Sequence, residues 1–367
     1  MEIYKAGPLA SARELLEICM ARNVAYTFDD LLLEPQYSEI LSRQDVNTET
    51  YFTPFRKIST PMVAANMDSV CEDDMALAMH DLGTLGIVHR YMDPEKQVDL
   101  VNALANENQV VCVSVGTLYV EDQVQKLVDA GASIIAIDVA HGHHKLVGDM
   151  LRKLKEKNYI SLVDQLPVEY IAGDVAIPQA VQYLVECGAD AIRVGVGPGS
   201  LCTTRVVTGH GVPQLTAIAA CSLKAAQYNK TIIADGGIRS SGDIVKALAA
   251  GANSVICGSL FAGTDEAPGE IFTANDGKRY KIYRGMASYE AQVEFYNEPP
   301  DAPEGVSTTV PYKGSVKSIV KALTGGVRSG LSYSGCVDIP SFKEAASWVR
   351  VTNSGNRESV AHLLLPS

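Results

Sequence analysis

The sequence predicts an α/β fold, a closed (β/α)8 barrel of the TIM type with an active-site flap inserted after the eighth strand. Three observations predict it. Eight short apolar runs alternate with helix-patterned segments along most of the 367 residues, the mark of parallel βαβ units. The runs are apolar on both faces, as fully buried parallel strands are. The residues able to do chemistry gather at the C-terminal ends of those runs, where barrels of this type carry their active sites. An open doubly wound sheet is the alternative that pattern alone allows; eight successive units favour closure.

The elements follow in order. Residues 1–25 read as a helical extension with Leu15, Leu16 and Cys19 on one face. The strand candidates are 61–66, 86–89, 110–116, 133–139, 170–175, 191–196, 231–237 and 254–261. Helical patterns fill 72–82, 94–107, 121–130, 143–156, 178–187, 215–228 and 241–250. The C-terminal strand ends bring Asn66-Met67-Asp68, His89-Arg90, Asp138 with His141, His143 and His144, Asp174, the 195–205 loop, Asp235-Gly236-Gly237 and Gly258-Ser259. The opposite ends carry ordinary turn chemistry, such as Ala130-Gly131-Ala132. Residues 264–313 form the lid, and the prolines within 297–314 favour a mobile loop there over a helix. A last helix is predicted over 315–324, followed by a mixed tail, 338–367. The whole, 1–367, reads as one barrel domain.

Composition narrows the function. A formal charge of −12 without a Lys/Arg run disfavours nucleic acid and anionic membrane as partners, while leaving phosphate binding through backbone N–H groups open. None of the eight cysteines stands in a C-x-x-C pair, and several lie in apolar runs, as packing thiols of a reducing compartment do. The N-terminus lacks a signal-peptide core, and no apolar run is long enough to span a bilayer. The chain reads as soluble and cytoplasmic. The histidines at 141, 143 and 144 have no cysteine or carboxylate cluster beside them to complete a zinc site. Asp29 and Asp30 are expected to fix the N-terminal segment, and Cys71 and Cys336 to pack. Within the lid, Tyr289 is expected to reach substrate, with Glu294 and Tyr296 facing water.

The sharpest segment is Val194-Gly-Val-Gly-Pro-Gly-Ser-Leu-Cys-Thr-Thr-Arg205. Pro198 and the glycine spacing separate it from a dinucleotide fingerprint. It is a tight loop whose carbonyls could hold a monovalent cation and whose N–H groups could hold phosphate. It ends in Cys202, flanked by hydroxyls. Spacing alone leaves Cys202 open between a packing thiol and an activated nucleophile.

GVGPGSLCTTR with TGHGVPQ, then IIADGGIRSSGDIVKALAAGA, resembles the shared signature of the IMP dehydrogenase / GMP reductase family. YTFDDLLLEP, DVAHGHH, CGSLFAG, YRGM, EGVSTTVPYKGS and GGVRSGLSYSG match as well, in family order over nearly the whole chain. The resemblance implies that Cys202 attacks C2 of a purine nucleoside monophosphate, GMP or IMP. It implies that Ser200, Gly236, Gly237, Gly258, Ser259 and Tyr283 surround the 5′-phosphate and that Asp235 takes the ribose hydroxyls. Gly285, Met286 and Glu304 lie on the base side. Asp138, with His141 on its loop, faces the nicotinamide cofactor, and carbonyls of Gly197, Gly199 and Cys202 hold potassium. A homotetramer is also implied.

Of the two branches, the reductase is expected: reductive deamination of GMP to IMP and ammonia with NADPH. Between His89 and Val110 only a helix and a turn fit, without the regulatory CBS modules usual in the dehydrogenase. The lid lacks the Arg-Tyr pair with which the dehydrogenase activates water, and Asn66 is the reductase's residue. Thr204 matches the reductase's catalytic threonine. Its glutamate partner is displaced by one position, with Tyr289 where it is usual and Glu290 next. The C-terminal GGVRSGLSYSG is closer to the dehydrogenase. The alternatives are a dehydrogenase without CBS modules, which would oxidise IMP with NAD, and a catalytically silent nucleotide-binding barrel.

Overall fold

The computed structural model describes residues 3–117, 120–275 and 277–359. Eight parallel strands close a barrel: β1 (Met62–Ala64), β2 (Leu85–Val88), β3 (Val111–Val115), β4 (Ala132–Ile137), β5 (Glu169–Val175), β6 (Ala191–Val194), β7 (Thr231–Asp235) and β8 (Ser254–Cys257). They run in sequence order around the wall, and β8 pairs with β1 to close it. Each of the eight expected runs supplies one strand.

The helices between strands fall where the 3.6-residue pattern predicts them, and their ends are chemically marked. The helix Pro94–Asn106 begins with Asp93 accepting from the backbone N–H of Glu95 and Lys96, with Pro94 at its first position, where its missing N–H costs nothing. The helix Ser241–Ala249 is capped by Ser240, which accepts from the Asp243 amide. The strands are buried on both faces, Ile134 and Ile135 completely. Cys71, Cys112, Cys257 and Cys336 are buried packing residues. Leu15 and Cys19 of the helix Ala10–Arg22 are buried against the barrel's outer layer.

The N-terminal end of the barrel is stoppered by a hairpin, Thr50–Thr53 with Arg56–Ile58. Thr231 at the start of β7 donates to the Phe52 carbonyl at 2.8 Å. Arg56, 4 % exposed, pairs with Glu169 on β5 and with Asp164, both at 2.8 Å. That end is filled and ionically tied, so the open end is the C-terminal one. Asp30 caps the turn it sits in by accepting from the Thr27 amide, and Asp29 pairs with Arg239. Beyond the barrel, Leu31–Leu33 pairs antiparallel with Trp348–Arg350.

The lid is more ordered than its composition suggests. Phe272–Thr273, Arg279–Arg284 and Ser307–Pro311 make a three-stranded sheet, and Tyr289–Tyr296 is a helix capped by Ser288. Pairing of 307–311 with 279–284 gives part of the proline-containing stretch a strand, which neighbouring prolines do not forbid at a sheet edge. The last long helix runs to Tyr333, past the expected 324. Among the described residues no helix is long and apolar enough to cross a membrane.

Candidate active site

A cavity of about 470 Å³ opens at the C-terminal end of the barrel. Its walls include Gly197, Gly199, Ser200, Cys202, Thr204, Asp138, Asp235, Gly236, Gly237, Gly258, Ser259, Tyr283, Gly285, Met286 and Glu304. Residues far apart in the chain therefore meet because barrel closure sets their strand ends side by side.

The 195–205 loop is shaped by its glycines at defined points. Gly195 has φ +155°, and a Cβ there would stand 2.0 Å from the Asp235 carbonyl oxygen; a side chain would force β6 and β7 apart. Gln214 donates to the carbonyls of Val194 and Asp235 at 2.8 and 2.9 Å, stapling the same two strand ends. Arg205 donates to the carbonyls of Val196 and Val212 and so pins the loop from behind. The Cys202 amide donates to the Gly199 carbonyl at 3.1 Å, and the Thr203 amide to the Glu304 carbonyl at 2.9 Å. This last bond lays the Glu304 segment against the cysteine loop.

The result is a row of three side chains. Cys202 Sγ lies 3.1 Å from Thr204 Oγ1, and Thr204 Oγ1 donates to Glu304 Oε2 at 2.7 Å. A threonine hydroxyl has one proton. With that proton directed at Glu304, the Cys202 S–H is the donor in the first contact. The carboxylate that meets Thr204 is thus Glu304. Glu290 is exposed on the lid helix and outside the cavity wall, because the turn of helix that buries Ala291 points its neighbour outward. His141 is likewise exposed and outside the wall, although Asp138, Val139 and Ala140 of its loop line it. Burial, then His143, His144 and His210, hold the His141 pKa below its usual value. No group of three His, Cys, Asp or Glu residues suited to a metal ion occurs among the described residues.

Just beyond β7, Gly236 and Gly237 adopt φ +90° and +82° and carry no side chain of their own over the backbone. A Cβ on Gly258 would meet the Tyr283 hydroxyl at 2.8 Å. Tyr283 is buried, which raises its pKa, and its hydroxyl lies 3.5 Å from Ser200 Oγ.

Sequence reasoning missed a charged network beneath the cavity. Arg193 on β6, 4 % exposed, reaches Asp138 (3.0 Å), Asp174 (2.6 Å) and Asp235 (3.3 Å). Asp138 also accepts from Arg90 Nε and Asn66 Nδ2, both at 2.9 Å. Burial pushes the Asp138 pKa up, but Arg193, Arg90 and the Asn66 amide outweigh it and hold the group ionised. The signal available in the sequence was a cation, Arg193, inside an otherwise apolar strand.

Arg90 also ties down the lid. Its guanidinium donates to the Tyr296 hydroxyl at 3.1 Å. Tyr91 stacks on Phe295 with ring centroids 4.5 Å apart and planes 6° from parallel, and Tyr296 packs edge-on against both rings. Arg284 joins Glu294 at 2.6 Å and Asp68 at 2.6 Å. Hence Tyr296, with Gln292, reaches the cavity wall, and Tyr289 does not. The two tyrosines are about equally exposed, 51 % for Tyr296 and 52 % for Tyr289, so Tyr296 does meet water as expected, but it is Tyr296 and not Tyr289 that borders the cavity.

Comparison with known proteins agrees with this geometry. Residues 25–362 match the model of the IMP dehydrogenase / GMP reductase domain. An inosine-5′-monophosphate dehydrogenase from Cryptosporidium parvum is 39 % identical over 388 residues, spanning 92 % of this chain and 94 % of that protein. A GMP reductase from Leishmania donovani is 31 % identical over 481 residues, spanning 92 % and 96 %. The crystal structure of a Trypanosoma brucei GMP reductase carrying one cysteine-to-alanine substitution, in complex with guanosine 5′-monophosphate, superposes with a TM-score of 0.85 at 30 % identity over 93 % of this chain and 98 % of that one. The match to the Cryptosporidium parvum dehydrogenase runs over 388 positions and those to the Leishmania reductases over 481 and 482.

Proposed function

This chain belongs to the IMP dehydrogenase / GMP reductase family, and we propose that within it the chain acts as a GMP reductase, converting GMP to IMP and ammonia with NADPH. The observation that carries this reading is the lid: residues 287–303 contain neither Arg nor Lys. The Arg-Tyr base that the family resemblance assigns to hydrolysis thus has no counterpart there. Reductive deamination needs instead a group that moves a proton between the cysteine and a departing amine, and the Cys202–Thr204–Glu304 row is so built.

Glu304 draws the thiol proton through Thr204, leaving a thiolate to add to C2 of the purine. The same row returns the proton to the exocyclic amine as the C2–N bond breaks, so GMP and the thiol become a thioimidate adduct and ammonia. When bound, the dihydronicotinamide cofactor supplies a hydride to C2. Cys202 would be the group that leaves C2, as thiolate, once C2 regains its hydrogen in IMP. Gly236, Gly237, Gly258, Ser259, Ser200 and Tyr283 bind the 5′-phosphate, Asp235 accepts from the ribose diol, and Met286 and Gly285 border the base.

The residues present fit the cofactor. Asp138 has about four lone-pair positions, three of them taken by Asn66, Arg193 and Arg90. One remains for a ribose hydroxyl. His141 stands beyond that group at the mouth. Neutral carbonyls of Gly197, Gly199 and Cys202 would suit potassium. The chain is expected to act in the cytoplasm as a homotetramer.

A second reading, IMP dehydrogenase with NAD, is favoured by the 39 % identity of the Cryptosporidium parvum relative. One assay separates them. Absorbance of reduced nicotinamide falls with GMP and NADPH for the reductase and rises with IMP and NAD for the dehydrogenase. A rise with IMP and no fall with GMP overturns the reductase reading.

A further inference from the structure

Asp174, at the C-terminal end of β5, lines the cavity without a role in the reaction outlined above. Its Oδ1 lies 2.6 Å from Arg193 Nε, and Asp235 Oδ2 lies 3.3 Å from that same nitrogen. Two carboxylates converge on one N–H, while Arg193 Nη1 donates to Asn66 and Nη2 is divided between Asp138 at 3.0 Å and the second oxygen of Asp174 at 3.3 Å. With every group ionised, Asp138, Asp174, Asp235, Arg90 and Arg193 leave one negative charge uncompensated in a mostly buried site. Two carboxylates within 3.3 Å of one guanidinium nitrogen disfavour each other's ionised form, so one group keeps a proton. Asp138 is not that group, because Arg90 and Arg193 both hold it ionised.

We propose that Asp174 and Asp235 share one proton at neutral pH and that purine-nucleotide binding places it on Asp174, making Asp174 a positioning residue of the ribose site. The proposal rests on the reading of the cavity as a purine-nucleotide site. A ribose diol donating to Asp235 favours that group's ionised form, so the proton moves to its neighbour. Protonated, Asp174 adds no second charge beneath the ribose. Asp235 also acts electrostatically on Tyr283 and Cys257, both kept neutral because burial raises their pKa values. Independently, burial, opposed by Arg193 and reinforced by Asp235 and Asp138, carries the Asp174 pKa to about 7.

The sign follows. Below the Asp174 pKa the free site already holds the proton, and binding is independent of this group. Above it, binding must take a proton up, so affinity falls as pH rises, by at most tenfold per unit.

The test compares wild-type protein with Asp174→Asn, whose amide donates as the protonated acid does. GMP is titrated calorimetrically without cofactor from about pH 6 to about pH 8.5. The difference between the two profiles cancels the ionisation of the nucleotide phosphate. The variant should bind within about threefold of wild type at the acid end and roughly tenfold tighter at the alkaline end. Parallel profiles overturn the proposal, as does an equal loss of affinity at every pH in a variant whose circular dichroism and melting show it folded. A nucleotide-independent arm follows the infrared C=O band of a protonated carboxyl. The band should be present at neutral pH in wild type and lost in Asp174→Asn; its absence from wild type overturns the proposal. If wild type binds no GMP or IMP, the nucleotide reading fails and the infrared arm still decides the proton.

Discussion

Replacing Phe295 with Ala should loosen the lid without touching the chemistry. Phe295 makes two ring contacts, a near-parallel stack on Tyr91 at 4.5 Å and an edge contact with Tyr296 at 4.8 Å. Such pairs contribute about 0.5–1.5 kcal/mol each beyond the area they bury. Losing both should weaken lid docking by about 1–3 kcal/mol, which raises the population of the undocked helix roughly 5- to 150-fold. Amide hydrogen exchange reads this directly, since protection of 289–296 depends on the helix staying docked. Exchange there should quicken by that factor, while the barrel strands keep their protection. Phe272→Ala is the control, because Phe272 stacks on Tyr280 in the lid's sheet, away from Tyr91. Exchange over 289–296 that stays within about twofold of wild type would refute the clasp. So would an equal response in the control.

Cys202→Ala should abolish turnover and leave GMP affinity within a few-fold; substantial residual turnover refutes the covalent role. Glu304→Gln or Thr204→Val should cost about 10²–10⁴ in kcat, the range for a lost proton-transfer partner. Glu290→Gln should leave kcat nearly unchanged, and the opposite ranking of the two glutamates would overturn the Thr204–Glu304 pairing. Lys343 is buried, which lowers its pKa to about 7. Between that value and its unfolded value the unfolded chain binds more protons than the folded one, so stability rises with pH across that window. Lys343→Met should flatten the rise and stabilise the protein at neutral pH by up to about 4 kcal/mol, read from denaturant unfolding at several pH values. An unchanged pH dependence in the variant would contradict this.

The barrel was legible because both faces of each strand are buried, so eight apolar runs stand out from their amphipathic spacers. The residues around Cys202 were legible through resemblance, and the cavity gathers most of them. Pairings across the barrel were not legible. Thr204 and Glu304 are 100 residues apart, and nothing in spacing says that a backbone bond from Thr203 lays the second beside the first. Glu290 looked the better partner only because its position in the chain lay closest to the family's glutamate. The Arg193 network was hidden for a related reason: its carboxylates sit on three other strand ends, neighbours only after closure. The lid helix was missed because 289–296 buries just Ala291 outright and is held by rings on one loop rather than by an apolar stripe.

The small two-stranded sheet on the barrel's outside has a bearing on how the molecule is made. Leu31 faces Arg350, and Leu33 faces Trp348, whose indole donates to the Ser11 carbonyl. Leu31–Leu33 thus finds its strand partner only after nearly all the barrel has been synthesised. At about 5–20 residues per second, the apolar Leu31–Leu33 strand waits tens of seconds for that cover. An N-terminal piece released early would carry that uncovered surface, offering cellular quality control a simple criterion for incompleteness.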